Sequence, residues 1–272
     1  MDTVREPDDR SGWPGGSFLG RLPDEARRDL LSLGRAREFG ARDILIHQGG
    51  ADRHTLLLLR GFTKVTATAE NGRESLLAIR LGGDIVGEMA AMGDQCRSAT
   101  VTACGPVTAR SVSEEALGAF LLRRPEAAVS LARMVTDRLR WANNRRLEFR
   151  GYSVKVRLAR ILADLAEAHG RTGAEGVVLG FTLTQPELAA LTGSAEPTIH
   201  RALKELRDAG LIGTGYRTTV VRDPVRLREV AKLPASVAPG RPARGAISPR
   251  PPSASSPPAR GPRTPGPRTP GV

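Results

Sequence analysis

Apolar residues recur along this chain at different spacings, and each spacing predicts a different element. From about Gly40 to Val112 they fall in short runs broken by turn residues: ILIHQGG, HTLLLLRG, FTKVTATAENG, ESLLAIRLGGD, RSATVTACGP and VTARSV. Such runs read as β-strands, and Asn71-Gly72 between two alternating runs predicts a hairpin. Many short strands at this interval favour a sandwich or jelly roll. Arg21 to Leu33 before them, and Glu114 to Leu122 after them, read as short flanking helices.

Further along, the period changes. Ala128, Ala132, Val135, Leu139, Ala142, Arg146 and Phe149 follow a four-three alternation, which is the seam of a coiled coil. A seam this narrow favours a parallel homodimer with Val135, Leu139 and Ala142 at the interface. Gly151 and Ser153 interrupt the run, Ser153 being able to cap the next helix, and the interruption reads as a hinge.

The stretch TQPELAALTGSAEPTIHRALKEL, Thr184 to Leu206, carries two short helical patterns around a tight break. Thr184 and Glu187 form the spacing of a capping box, and Pro186 falls in the first turn, so a helix is expected from Gln185. Gly193 can take the left-handed conformation of a sharp turn. A second helix is expected from near Ser194, with Ile199, Ala202, Leu203 and Leu206 on its buried face. Small or apolar residues at Ala189, Gly193 and Ile199 suit the close crossing of a helix-turn-helix, whose second helix enters the DNA major groove. GLIGTGYRTTVV then gives two β-like runs around a turn, a wing.

Composition sharpens this picture in three ways. The net charge is +12, residues 1–125 are balanced, and the basic excess lies downstream, where nucleic acid would be touched. The last forty residues, rich in Pro, Arg, Ala, Gly and Ser with no acid, cannot bury a core and are expected to be disordered. No apolar run approaches the roughly 20 residues a membrane span needs, and the acidic start lacks the pattern of a signal peptide, so a cytoplasmic protein is expected. Two cysteines, Cys96 and Cys104, are too few for a disulfide scaffold. His47, His54, His169 and His200 are scattered without metal-ligand spacing, which leaves no metal site, no catalytic residue and no enzyme of the metal-holding jelly-roll kind to expect.

Between two of the strand runs sits GDIVGEMAAMGDQCRSATV. Gly87 allows close backbone approach, Glu88 offers an acceptor pair suited to a ribose hydroxyl, and the turn from Met89 to Met92 aims amides at an anion. Arg97 followed by Ser98 supplies a planar cation and a hydroxyl, the pair a cyclic phosphate would take.

In order of parts, residues 18 to 232 resemble the Crp/Fnr superfamily of bacterial transcription regulators, the most specific pieces being GDIVGEMAAM, RSATV and TIHRALKELRDAGLI with RTTVV. The resemblance implies an α+β fold: a jelly roll at 18–125 after a flexible N-terminus at 1–17, a dimerisation helix and hinge at 126–152, a winged helix-turn-helix at 153–232, and the tail at 233–272. It implies that Glu88 holds a ribose and Arg97 with Ser98 a cyclic phosphate, with Gly87 and Met89 beside them. It also implies DNA contacts from Thr184, Gln185, Glu196, Pro197, Thr198, His200, Arg201, Lys204 and Arg217. The implied partners are double-stranded DNA, a second copy of the chain and RNA polymerase. No cofactor is required, and cAMP or cGMP is a possible effector. Two departures keep alternatives open. Ala142 and Asn143 stand where nucleotide-responsive members carry hydroxyls against the adenine, leaving Asn143 as the base contact; Glu196-Pro197 replaces Arg-Glu in the recognition helix. A dimeric DNA-binding protein with a purely structural jelly roll, a haem sensor using His47 or His54 with Cys96, and a redox sensor using the pair Cys96 and Cys104 are the competing readings.

Overall fold

The computed structural model describes residues 13–234, apart from 73, 94, 180–182 and 216–217. Its first half is a jelly roll. Helices α1 (Phe18–Arg21) and α2 (Asp24–Ser32) precede strands β1 (Arg35–Phe39), β2 (Ile44–Ile46), β3 (Thr55–Arg60), β4 (Phe62–Thr68), β5 (Glu74–Leu81) and β6 (Ile85–Val86); helix α3 (Glu88–Ala91), β7 (Thr100–Ala103) and β8 (Val107–Val112) complete it. The flanking helix expected over Arg21–Leu33 is thus two pieces, because Pro23 cannot continue α1 and instead opens α2.

The strands form two antiparallel sheets ordered β1-β8-β3-β6 and β2-β7-β4-β5. Central strand β3 shows why its TLLLLR run is apolar without alternation. Leu56 and Leu58 face the second sheet with Val101, Val107 and Ala109, while Leu57 and Leu59 face a helical layer with Phe18, Leu30, Leu117 and Phe120. Both faces are covered, so both must be apolar. Each leucine so buried contributes roughly 1.5–3 kcal/mol. Asn71 and Gly72 turn β4 into β5, with Gly72 at φ +77 and its amide on Ala69.

Helix α4 (Glu114–Arg123) is capped by Ser113, whose hydroxyl accepts from Ala116 N. Helix α5 (Pro125–Gly151) follows, 27 residues or about 40 Å at roughly 1.5 Å per residue. Its start is anchored in the helical layer by Ala127, Leu131 and Met134. It ends where the Gly151–Ser153 interruption was expected, and Ser153 caps α6 (Val154–His169) by accepting from Val156 N.

The second half contains β9 (Gly170–Gly173), β10 (Gly176–Leu179), α7 (Gln185–Thr192), α8 (Glu196–Asp208), β11 (Ile212–Gly215), β12 (Thr218–Val221) and α9 (Pro224–Val230). Thr184 and Glu187 make the expected capping box, and Gly193 turns the chain at φ +60. Helix α8 begins at Glu196 rather than near Ser194, because the Ser194 hydroxyl bonds Thr192 Oγ1 at 2.8 Å and Ala195 takes the cap position. Ile199, Ala202, Leu203 and Leu206 are buried together with Leu158, Ile161, Leu188 and Leu191. The wing is larger than the two runs expected: β11 and β12 continue into the β10-β9 hairpin. That hairpin, GRTGAEGVVL, is glycine-rich and too short to show a period. Arg217 and the tail from 235 onward lie outside the described residues.

Candidate effector pocket and nucleic-acid interface

The pocket is organised by a glycine. At Gly87, φ is +84, and a Cβ there would lie 2.7 Å from Arg97 Nη1 and 3.0 Å from His54 O. The space a side chain would need is taken by the Arg97 guanidinium, which is 3% exposed. Arg97 donates from Nη1 to Gly87 O at 2.8 Å and from Nη2 to Asp52 Oδ2 at 2.7 Å and His54 O at 2.5 Å. Its main chain is fixed as well, since Arg97 N bonds Gly50 O and Gly49 N bonds Arg97 O. The Nε atom is buried and has no partner among the described residues. The Arg97 hydrogen bond holds the Asp52 carboxyl below its usual range, against the opposing effect of burial. Burial lowers His54, although Asp52, 3.0 Å from Nδ1, acts the other way. Ser98 is exposed beside Met89, its hydroxyl 3.7 Å from the thioether sulfur.

Glu88 is buried, and its Oε1 accepts from Arg138 Nη1 at 2.6 Å. Arg138 also donates to Ile85 O at 3.0 Å and lies 3.6 Å from Asp84. Arg80, on β5, is pushed down to about 10 by burial, with Arg138 adding to the effect; it remains a cation at neutral pH. These groups line a cavity of about 250 Å³ that also touches Leu77, Val101, Trp141 and Ala142. Gly87, Glu88, Met89, Arg97 and Ser98 are therefore brought together. Asn143 is not: it is exposed and stands outside the cavity lining, whose α5 wall is Arg138, Trp141 and Ala142.

Arg80, Asp52, Arg138 and Trp141 were not found from the sequence. For the last two a signal existed. Ala127, Leu131, Met134, Arg138, Trp141, Arg145 and Glu148 keep the same four-three alternation as the exposed seam, one residue out of phase. This second stripe faces inward, but its later members are charged, so apolar periodicity misses it. On the outer stripe Val135 and Leu139 are 39% and 60% exposed, and Ala142 is exposed while touching the cavity. Phe149, the last residue of the expected seam, lies instead against the turn of the helix-turn-helix: a Cβ on Gly193 would come 2.6 Å from its ring.

On α8, Glu196, Pro197, Thr198, His200, Arg201 and Lys204 are all exposed on one side. Glu205, one turn beyond Arg201, is held by Lys155 at 3.0 Å, and among the described residues Arg201 makes no ion pair. Thr184 and Gln185 are exposed at the start of α7, where the Thr184 amide donates to Glu187 Oε2 at 2.8 Å. That glutamate also meets Lys64 of β4 at 3.2 Å, and Leu76 and Ile79 of β5 pack with the helix-turn-helix core.

Comparison with known proteins agrees with this architecture. Residues 36–124 match the cyclic nucleotide-binding domain, and residues 156–230 match the Crp-like helix-turn-helix domain. The CRP-like cAMP-activated global transcriptional regulator of Mycobacterium tuberculosis is 30% identical over 176 residues, 65% of this chain and 79% of that protein. The chain belongs to the Crp/Fnr family of transcription regulators. The cyclic AMP receptor protein of Thermus thermophilus is 28% identical over 79% of this chain and 95% of its own length. Among solved structures, a Crp/Fnr family regulator of the same organism superposes with a TM-score of 0.59 at 27% identity, covering 73% of this chain and 98% of its own. FixK2 of Bradyrhizobium japonicum, at 19% identity and a TM-score of 0.63, shares the fold, covering 75% of this chain and 99% of its own. This Crp/Fnr regulator is thus a DNA-binding transcription regulator with a domain of the cyclic-nucleotide-binding type, in a family that typically acts as dimers and whose members are not enzymes. No helix among the described residues is long and apolar enough to cross a membrane.

Proposed function

We propose that this regulator is a homodimer whose affinity for DNA is set by a cyclic nucleotide, cAMP or cGMP, bound in the α5-walled cavity. One observation carries the reading. Arg97 is buried with its guanidinium held by three acceptors and its Nε without a partner, beside a buried Glu88, in a cavity roofed by the helix that leads to the DNA-binding half. A cyclic phosphate on Arg97 and Ser98 with a ribose hydroxyl on Glu88 matches that arrangement. The relatives from Mycobacterium tuberculosis and Thermus thermophilus are named for cAMP, which supports the choice of ligand. The exposed outer stripe of α5 supplies the dimer surface, and Thr184, Gln185, Arg201 and Lys204 face the DNA, in the cytoplasm, with RNA polymerase as the protein partner.

The same pocket favours one alternative. Arg97 is already paired with Asp52, and Glu88 with Arg138, so the cavity is electrostatically satisfied as it stands, as a purely structural jelly roll would be. A redox switch at Cys104 fits less well, because burial pushes its thiol up to about 11, far from a reactive thiolate. Calorimetric titration with cAMP and with cGMP, followed by DNA-binding titrations with and without each nucleotide, separates the two. Nucleotide binding with a gain in DNA affinity supports the effector reading; binding of neither leaves the scaffold.

A further inference from the structure

Trp141 is attached to both halves of the molecule. Its indole forms part of the cavity wall, one residue from Ala142 and one turn beyond Arg138. The same side chain packs against the apolar cluster that joins the helix-turn-helix core to Leu76 and Ile79 of β5, and it lies beside the Asp164 carboxyl of α6. On its ring lies Arg145, the guanidinium carbon 4.3 Å from the centroid.

Arg145 extends the chain of contacts. It is 8% exposed, and Nη1 donates to Leu191 O at 2.9 Å. Leu191 is in the last turn of α7, where carbonyls lack helical partners and a cation is favoured. Nη2 of Arg145 is buried without a partner among the described residues, so the side chain is placed by the stack and by that one carbonyl. One turn later Phe149 covers Gly193, the turn that sets the angle of α8. Glu148 completes the stripe on Arg160 of α6 at 2.9 Å. A shift of the indole therefore cannot stay local, because it packs on the cluster that contains the helix-turn-helix core and its stacking partner holds Leu191 of α7.

The cavity also has a polarity. Its charged groups, Arg80, Glu88, Arg97 and Arg138, lie together, and the α5 wall one turn on from Arg138 is aromatic. A ligand anionic at one end and planar at the other fits that order, and an aromatic ring gains from meeting another face or edge on. We propose that Trp141 contacts the base of the effector and transmits occupancy to the helix-turn-helix through Arg145 and Leu191. The proposal rests on the effector reading above, and it makes Trp141 a specificity residue and Arg145 a positioning residue. An effector alters DNA affinity only by the difference it makes between two arrangements of the chain, and the stack on Trp141 is the contact that differs.

The test uses the full-length chain with cAMP and cGMP as probes and a duplex selected by the wild type from a random pool. The protein has two tryptophans, so a Trp13→Phe background leaves Trp141 as the reporter, and nucleotide binding should shift or quench its emission. Trp141→Ala should weaken nucleotide binding at least tenfold, while Trp141→Phe, which keeps an aromatic face, should stay within threefold. Arg145→Met should bind nucleotide within threefold of wild type yet lose the nucleotide-dependent gain in DNA affinity, retaining less than twofold. Thermal unfolding checks that each variant is folded; if Arg145→Met is not, Arg145→Lys keeps the cation near Leu191 and removes the planar stack. The inference is overturned if the arginine variant gains DNA affinity as the wild type does, or if Trp141→Ala binds nucleotide unchanged. A wild type that binds neither nucleotide overturns the effector reading itself, and the base contact with it, an outcome distinct from a failed relay.

Discussion

Arg97, at the foot of the cavity, is 3% exposed and donates to Gly87, Asp52 and His54, whereas Arg201 on α8 stands in solvent and makes no ion pair among the described residues. The difference concerns what each site must do before its partner arrives. A buried guanidinium left unpaired would be costly, so the pocket holds its own counter-charges at Asp52 and Glu88 and is ordered in advance. A ligand entering it finds the geometry set and loses little to ordering the protein. The recognition face has no such cost, since water solvates its cations. Its side chains keep their rotamer freedom and give it up only on DNA, so each contributes less and must gain its value from geometry.

Removing the pre-paired group should therefore have the largest effect. Arg97→Ala deletes both donor nitrogens that organise Gly87, His54 and Asp52, and truncating a buried charge partner costs about 2–5 kcal/mol. Calorimetry should show nucleotide binding lost, while circular dichroism still reports a folded chain. Equal binding by wild type and variant would place the effector elsewhere. The outer stripe of α5 offers the next contrast, an apolar surface open in one chain and buried in a dimer. Leu139, 60% exposed, becomes a central contact in that arrangement, and Leu139→Asp sets two carboxylates at the two-fold axis. The monomer should keep its melting temperature and the dimer should dissociate in sedimentation velocity, an effect of roughly 3 kcal/mol or more. A variant that sediments as a dimer would show that another surface joins the subunits.

The same contrast explains what could be read before the structure. The helix-turn-helix was legible to within about two residues because its signals are local: a capping box at Thr184 and Glu187, a turn glycine, and a buried stripe from Ile199 to Leu206 on the second helix. The jelly roll was legible as a class, and β3, apolar on both faces, needed the second sheet and the helical layer to explain it. In the pocket, Glu88, Arg97 and Ser98 stand in one short motif and were found. Asp52, Arg80, Arg138 and Trp141 come from three other elements or loops, and only the fold brings them together. The inward stripe of α5 was hidden for a chemical reason: after Met134 it changes from apolar to charged and aromatic residues, which a search for hydrophobic periodicity reads as solvent-facing.

Base reading on α8 should rank third. Arginine forms two hydrogen bonds to guanine when its fork meets O6 and N7, and such a pair gives about 1–3 kcal/mol of discrimination. With Glu205 held by Lys155, Arg201 has that fork available. Selection from a random pool should show Arg201→Ala relaxing the preference at one base of each half-site; identical motifs from both proteins would assign specificity to His200 and the Glu196-Pro197 pair instead. A pH-dependent effect on stability is expected at Asp164, whose carboxyl is pushed up to about 6 by burial, with Arg145 opposing. An acid with a raised folded pKa favours the folded state most when protonated. Its contribution is lost as pH rises from about 4 to about 6 and is constant above, by about 3 kcal/mol. Asp164→Asn should remove this dependence, so that its melting temperature relative to wild type climbs between pH 4 and 6 and then levels off. A difference independent of pH would mean that Asp164 does not titrate there.

Lys204 should give the smallest change, and its form matters more than its size. It stands one turn beyond Arg201 on the exposed side of α8, and an ammonium on a flexible stem suits a phosphate better than a base edge. Such a contact releases about one counterion, so Lys204→Ala should weaken every duplex alike and flatten the dependence of log K on log salt by about one unit. The motif selected from a random pool should be that of the wild type. Arg201→Ala and Lys204→Ala, one turn apart, thus separate two ways an exposed cation can act: one changes which sequence is preferred, the other only how tightly any sequence is held. Titrations of a selected and a scrambled duplex at several salt concentrations decide the matter. If Lys204→Ala weakens the selected duplex alone, the lysine reads a base, and the division of roles along α8 has to be redrawn with its reading edge one turn further toward the C-terminus.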